Sequence, residues 1–222
     1  MIELQRATGA RPGEICSLRP SDIDRSGDVW TYVPADHKTA HLDHDRVIHI
    51  GPKGQSVLLP FLLRDSKSYC FSPQESAEWH RRERFAKRVT PANQGNTIGT
   101  NRKRSPKRAP LDRYEVASYR RAIHRACDDA FPAPEPLAQR PNESFRKWRS
   151  RLTKEQAREL AEWQSSKRWS PYQLRHAAAT QIRKEFGIDA VKATLGHSSV
   201  NMSGHYAELD RQAAVEVARK IG

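Results

Sequence analysis

SPYQLRHAAATQIRKEFGIDAVKATLGH, residues 170–197, decides how the chain is read. Ser170 can accept hydrogen bonds from the unpaired N–H groups of a first helical turn. Pro171 suits the first helical position, where its missing N–H is not needed. A helix should start there and run to Phe186, with Gly187 ending it. Asp189 can cap a short helix that stops at Gly196. Arg175 then lies in the first turns of a capped helix, three residues after Tyr172, so that both project from one side. His197 follows the end of the second helix.

Outward from this stretch the pattern stays helical. Ser198 or Ser199 can cap a helix that holds Tyr206, and Asp210 a last one, 210–222, with Ala213, Ala214, Val217 and Ile221 apolar. At the other end, residues 1–8 read as a helix ended by Gly9, and Pro12 opens a short one through Leu18. DVWTYVP (28–34) and RVIHI (46–50) are β-rich and predict a hairpin with a long polar tip carrying Lys38. Residues 55–63 read as core, helical around Pro60. Periodicity fades from Ser72 to Pro110, so 72–112 reads as a basic, partly flexible insertion. A helix is expected from Arg113 to Ala130, none over the proline-rich 131–141, and one from Glu143 to Ser165 broken near Leu152. The expected class is mainly α with a small β-sheet, α+β, in one domain over 1–222.

The formal charge is +13 over 222 residues. It is concentrated. Between Trp79 and Arg125 stand 14 Lys or Arg and three acids, a net +11. Such a segment attracts polyanions by releasing condensed counterions, so nucleic acid is the first partner to consider. Within it, Arg102, Lys103, Arg104, Lys107 and Arg108 are the candidate DNA contacts; a solvated basic loop is the plain alternative. No apolar run could span a bilayer and no secretory signal opens the chain. Three widely spaced cysteines, Cys16, Cys70 and Cys127, fit reduced thiols better than disulfides. His37, His41, His44 and His49 are irregularly spaced with no cysteine near, so neither a metal nor a cofactor is expected.

Three blocks carry chemistry: TGARPGEICSLRPSDID (8–24) with Arg11 and Glu14, SPYQLRHAAAT (170–180), and LGHSSVNMSGHYAELD (195–210) with Tyr206 nine residues after His197. A metal-free exchange of phosphodiester bonds needs these residue types. Arginines neutralise the phosphate oxygens with a planar, always-charged fork. A nucleophile conserves the bond covalently, and a general acid protonates the leaving oxygen. In this order and spacing the blocks resemble the tyrosine recombinase, or phage integrase, family, over most of the chain outside about 72–165.

The resemblance implies a catalytic-domain architecture and a role for each residue. Arg11 and Arg175 would clamp the scissile phosphate, Lys38 would protonate the 5′-oxygen, His197 would hydrogen-bond the phosphate, and Tyr206 would form a 3′-phosphotyrosyl link. Glu14 and His176 would support the site. Tyr172 stands where the family usually has a histidine. A phenol is a poor base at neutral pH, though it can donate a hydrogen bond to a phosphate. The resemblance further implies double-stranded DNA as partner, a homo-tetramer on DNA with a monomer possible without it, a cytoplasmic, nucleoid-associated setting, and an N-terminal DNA-clamping domain that this chain lacks. Two other readings stay open: relaxation of DNA in the manner of type IB topoisomerases, and a DNA-binding remnant with weakened or lost catalysis.

Overall fold

A computed structural model describes residues 1–35, 46–91, 93–94, 111–196 and 214–222. The chain opens with α1 (Ile2–Thr8), which Gly9 ends in a left-handed conformation at φ 63°. Helix α2 (Pro12–Cys16) follows, opened by proline as expected. Next come β1 (Ile23–Asp24), β2 (Trp30–Tyr32) and β3 (Ile48–Ile50), which form one antiparallel sheet in that order. The sheet has a strand more than the hairpin predicted. Tyr32 stands opposite both Ile23 and Ile48, so one face presents an unbroken apolar row.

Helix α3 (Pro52–Leu58) runs into a 3₁₀ turn, Leu59–Phe61. This corrects the reading of 55–63 as core throughout. Leu58 and Leu62 are buried, whereas Leu59 and Leu63 face solvent. Helix α4 (Pro73–Ala86), fourteen residues long, lies where periodicity fades and no element was assigned from sequence. None of its residues is buried, so no apolar stripe exists to be read. Local signals make it instead. The Ser72 hydroxyl accepts from the Gln74 and Glu75 amides, Pro73 takes the first position, and good helix formers follow.

Helix α5 (Val116–Ala130) buries Tyr119, Ile123 and Cys127 along one side. Helices α6 (Phe145–Arg151) and α7 (Lys154–Lys167) meet at Leu152, where a break was expected. They close a small core of Leu137, Trp148 and Leu160, apart from the main one. Helix α8 (Pro171–Leu195) is broken at Gly187, which sits at φ 84°. Residues 214–221 form α9.

Two cores position the site. Leu4, Ile15, Leu18, Tyr32, Ile48, Ile50 and Leu58 join α1, α2, α3 and the sheet. Ile182, Val191, Leu195 and Val217 join the two halves of α8 to α9, so the last helix packs on its own chain. A buried amide links the halves of the molecule. The Gln5 Nε2 group donates to the Ala10 carbonyl at 3.1 Å and the Pro171 carbonyl at 3.0 Å, while the Tyr119 hydroxyl donates to its Oε1 at 3.1 Å. With its donors and acceptor paired, Gln5 sets the start of α8 against the turn after α1.

Candidate active site

The Gly9 turn and α2 present Arg11 and Glu14. The Glu14 carboxylate reaches back to the start of its own helix, accepting from the Arg11 amide at 2.6 Å and from Arg11 Nη1 at 2.9 Å. It is almost wholly buried, and its Oε1 also accepts from Arg46 Nε at 3.2 Å. Burial alone pushes the Glu14 carboxyl up. The Arg46 charge and the hydrogen bonds from Arg11 outweigh that, and the net shift is downward. Glu14 is therefore an anion shared between two guanidinium groups. Beneath it the Tyr32 hydroxyl donates to the Glu14 carbonyl at 2.8 Å, and burial raises that phenol well above its ordinary range.

Arg175 arrives from the other side. Its Nη1 donates to the Gly9 carbonyl and its Nη2 to the Leu195 carbonyl, each at 2.7 Å. Arg46 makes a parallel contact through Nη1 to the Thr194 carbonyl at 3.2 Å. Two arginines thus sit on consecutive carbonyls at the end of α8, where the helix dipole favours cations. Gly196 ends the helix in a left-handed conformation, at φ 63° and ψ 48°. A Cβ there would lie 2.8 Å from Arg46 Nη1, so glycine is needed for space as well as for backbone.

These contacts bring Arg11, Arg46 and Arg175 together around one carboxylate. Burial pushes the Arg175 guanidinium down to about 10, helped by the Arg46 and Arg11 charges, and it remains a cation at neutral pH. Among the described residues, three positive groups against one negative leave a net +2 at a place where water is largely excluded. Among the same residues, Arg175 spends two of its five N–H donors, both on carbonyls.

The other candidates divide. Tyr172 lies in the first turn of α8 and is half exposed. It and Arg175 share a side of the helix, but only Arg175 turns inward. His176 is exposed and none of its described contacts joins the arginines. Lys38, His197 and Tyr206, with Arg102, Lys103, Arg104, Lys107 and Arg108, lie outside the described residues. Arg46 was missed from sequence, although a signal existed. Positions 46, 48 and 50 alternate as buried residues, with Arg46 two residues ahead of β3 and Ile48 and Ile50 facing inward within it. An arginine on the buried side of that alternation demands a partner.

The profile of the Phage integrase family matches residues 87–213. The chain belongs to that family. The span holds Tyr172, Arg175, His197 and Tyr206 of this integrase-family chain, and takes in 87–165, which the block-by-block resemblance leaves aside. Arg11, Glu14, Lys38 and Arg46 precede it. No curated protein and no solved structure matches the sequence. Membership implies action on DNA, and among the described residues no helix is long and apolar enough to cross a membrane.

Proposed function

We propose that the chain is a site-specific recombinase that cleaves and rejoins DNA through a 3′-phosphotyrosyl intermediate, on a fold of the tyrosine-recombinase catalytic type. The observation that carries the reading is the cluster of Arg11, Arg46 and Arg175 around Glu14, with no second carboxylate there among the described residues. A buried excess of positive charge is costly unless an anion completes it. A phosphodiester fits, and the pentavalent transition state, with more charge on its oxygens, fits better.

Arg11 and Arg175 take the non-bridging oxygens. Tyr206 attacks phosphorus and loses its phenol proton to solvent, the P–O5′ bond breaks, and Lys38 supplies the proton that the 5′-oxygen needs. His197 donates a hydrogen bond to the phosphate, and Tyr172 does the same from the rim. Attack by the freed 5′-hydroxyl on the phosphotyrosine reverses the step, which conserves bond energy without a metal. Arg102, Lys103, Arg104, Lys107 and Arg108 hold the DNA backbone, and a homo-tetramer exchanges strands in pairs. On this reading 1–222 is one catalytic domain, with 72–112 its DNA-facing insertion apart from α4.

A nicked suicide substrate tests this. The protein is expected to form an adduct that survives denaturation, and Tyr206→Phe is expected to bind DNA without forming it. An adduct that persists in that variant removes Tyr206 as nucleophile. The identity of Tyr172 favours one second reading, a DNA-binding remnant of weakened chemistry. It would show salt-sensitive binding, with a Tyr172→His variant raising adduct yield from near zero.

A further inference from the structure

We propose that Arg46 is a positioning residue of the active site, which locks Glu14 and the Arg11 held by it to the end of α8, and so sets the register between the two halves of the site. The proposal rests on the recombinase reading for its catalytic consequence but not for its structural one.

Arg46 bonds both halves at once. Its Nε holds Glu14, on the block that carries Arg11. Its Nη1 holds the Val47 and Thr194 carbonyls, the second of them on the helix that leads to His197. Arg175 spans the same gap from Gly9 to Leu195. Gln5 fixes the start of α8 against the turn after α1, and Arg175 and Arg46 fix its end, on consecutive carbonyls. Misplacement of a catalytic group by about 1 Å can cost about 100-fold in rate.

Arg46 is not there as a good stability contact. It is 5% exposed, and its Nη2 has no hydrogen-bond partner among the described residues. A buried charged donor left unpaired is destabilising, and an apolar residue of similar size would avoid that cost. What an apolar residue could not do is reach a carboxylate and a helix-end carbonyl together. The Thr194 hydroxyl in the same place is also buried with no partner among the described residues.

The test compares Arg46→Gln, Arg46→Lys and, as a control, Arg168→Gln, which breaks an ion pair with Asp128 away from the site. Two readouts, the rate of adduct formation on suicide DNA and the melting temperature, are followed from pH 8 down to about pH 3, below the ordinary carboxylate range. Among the described residues, the groups that face Glu14 are Arg11, Arg46, Arg175 and Tyr32. Arg46 supplies the largest of the effects that lower its carboxyl. Glu14 therefore contributes stability that is present above its unfolded value and is lost as pH falls through the folded one. Without Arg46 the folded value rises, and the loss begins at higher pH.

Arg46→Gln is expected to cut the adduct rate 10- to 100-fold, with DNA affinity within about threefold. Its acid-side loss of both rate and melting temperature should move to higher pH. Arg46→Lys should return the acid-side profile to that of the wild type while leaving the rate several-fold low, because one ammonium cannot serve both Glu14 and Thr194. Arg168→Gln should leave the pH profile in place. A wild-type rate and profile in Arg46→Gln overturn the proposal. If Arg46→Gln fails to fold, a wild-type rate in Arg46→Lys overturns it instead. If the wild type forms no adduct, the recombinase reading fails, and the melting profile alone decides whether Arg46 holds Glu14.

Discussion

Gly51→Ala puts a methyl group where the last helix already lies. Gly51 has ordinary extended backbone, at φ −79° and ψ −178°, so alanine costs nothing in conformation. Space is the difficulty. A Cβ there would stand 1.7 Å from the Ala218 carbonyl oxygen and 2.9 Å from the Gly222 carbonyl carbon. Both belong to backbone and cannot rotate away. Helix α9 must retreat by roughly 1.5–2 Å to restore van der Waals separation, or detach. Detachment loses the bond from the Gly54 amide to the Gly222 carbonyl, at 2.8 Å, worth about 1 kcal/mol. It also exposes Val217, about 1.5–3 kcal/mol, and the smaller Ala214 and Ala218. The expected cost is roughly 3–5 kcal/mol. For a chain of this size that lowers the melting temperature by roughly 6–20 °C. Calorimetry of Gly51→Ala beside Gly13→Ala measures it. Gly13 is a helical site whose added Cβ meets only Val116, at 3.8 Å, so the control should be neutral or slightly stabilising. A Gly51→Ala protein that melts within about 1 °C of the wild type would mean that α9 does not sit on the β3–α3 corner.

Gly196→Ala should cost about 2–4 kcal/mol, from left-handed backbone and from displacement of Arg46, and should reduce adduct formation further. Urea unfolding checks it, and a cost under about 0.5 kcal/mol would show that Arg46 does not pack against that turn. Leu160→Ala empties the small core between α6 and α7, where Leu160 is fully buried, at about 2–5 kcal/mol. Amide exchange should rise over 131–169 and stay slow in α1 and the sheet; a uniform rise would show that α6 and α7 are no separate unit.

Much of the local structure is legible because it depends on neighbours a few residues away. Gly9, Gly187 and Gly196 end helices where their sequence contexts say they should, each at positive φ. The break at Leu152 and the Pro171 start follow from caps and prolines. Helix α4 escaped notice for the opposite reason: it buries nothing, and periodicity reports only burial. In the candidate site, Arg11, Glu14 and Arg175 were readable from their motif blocks. Arg46 was not, because its partners Glu14 and Thr194 lie 32 and 148 residues away.

From the amino-acid order alone came the helical character, the small sheet, the concentration of positive charge and the family that the spaced blocks resemble. Short-range hydrogen bonding and fixed covalent geometry decide such features, and they are written residue by residue. Only the folded chain decided that Glu14 serves two arginines, that the end of α8 carries two guanidinium groups, and that α9 lies on its own chain beside Gly51. Each depends on which distant segments come within about 3 Å of one another, and close packing of the whole core sets that distance.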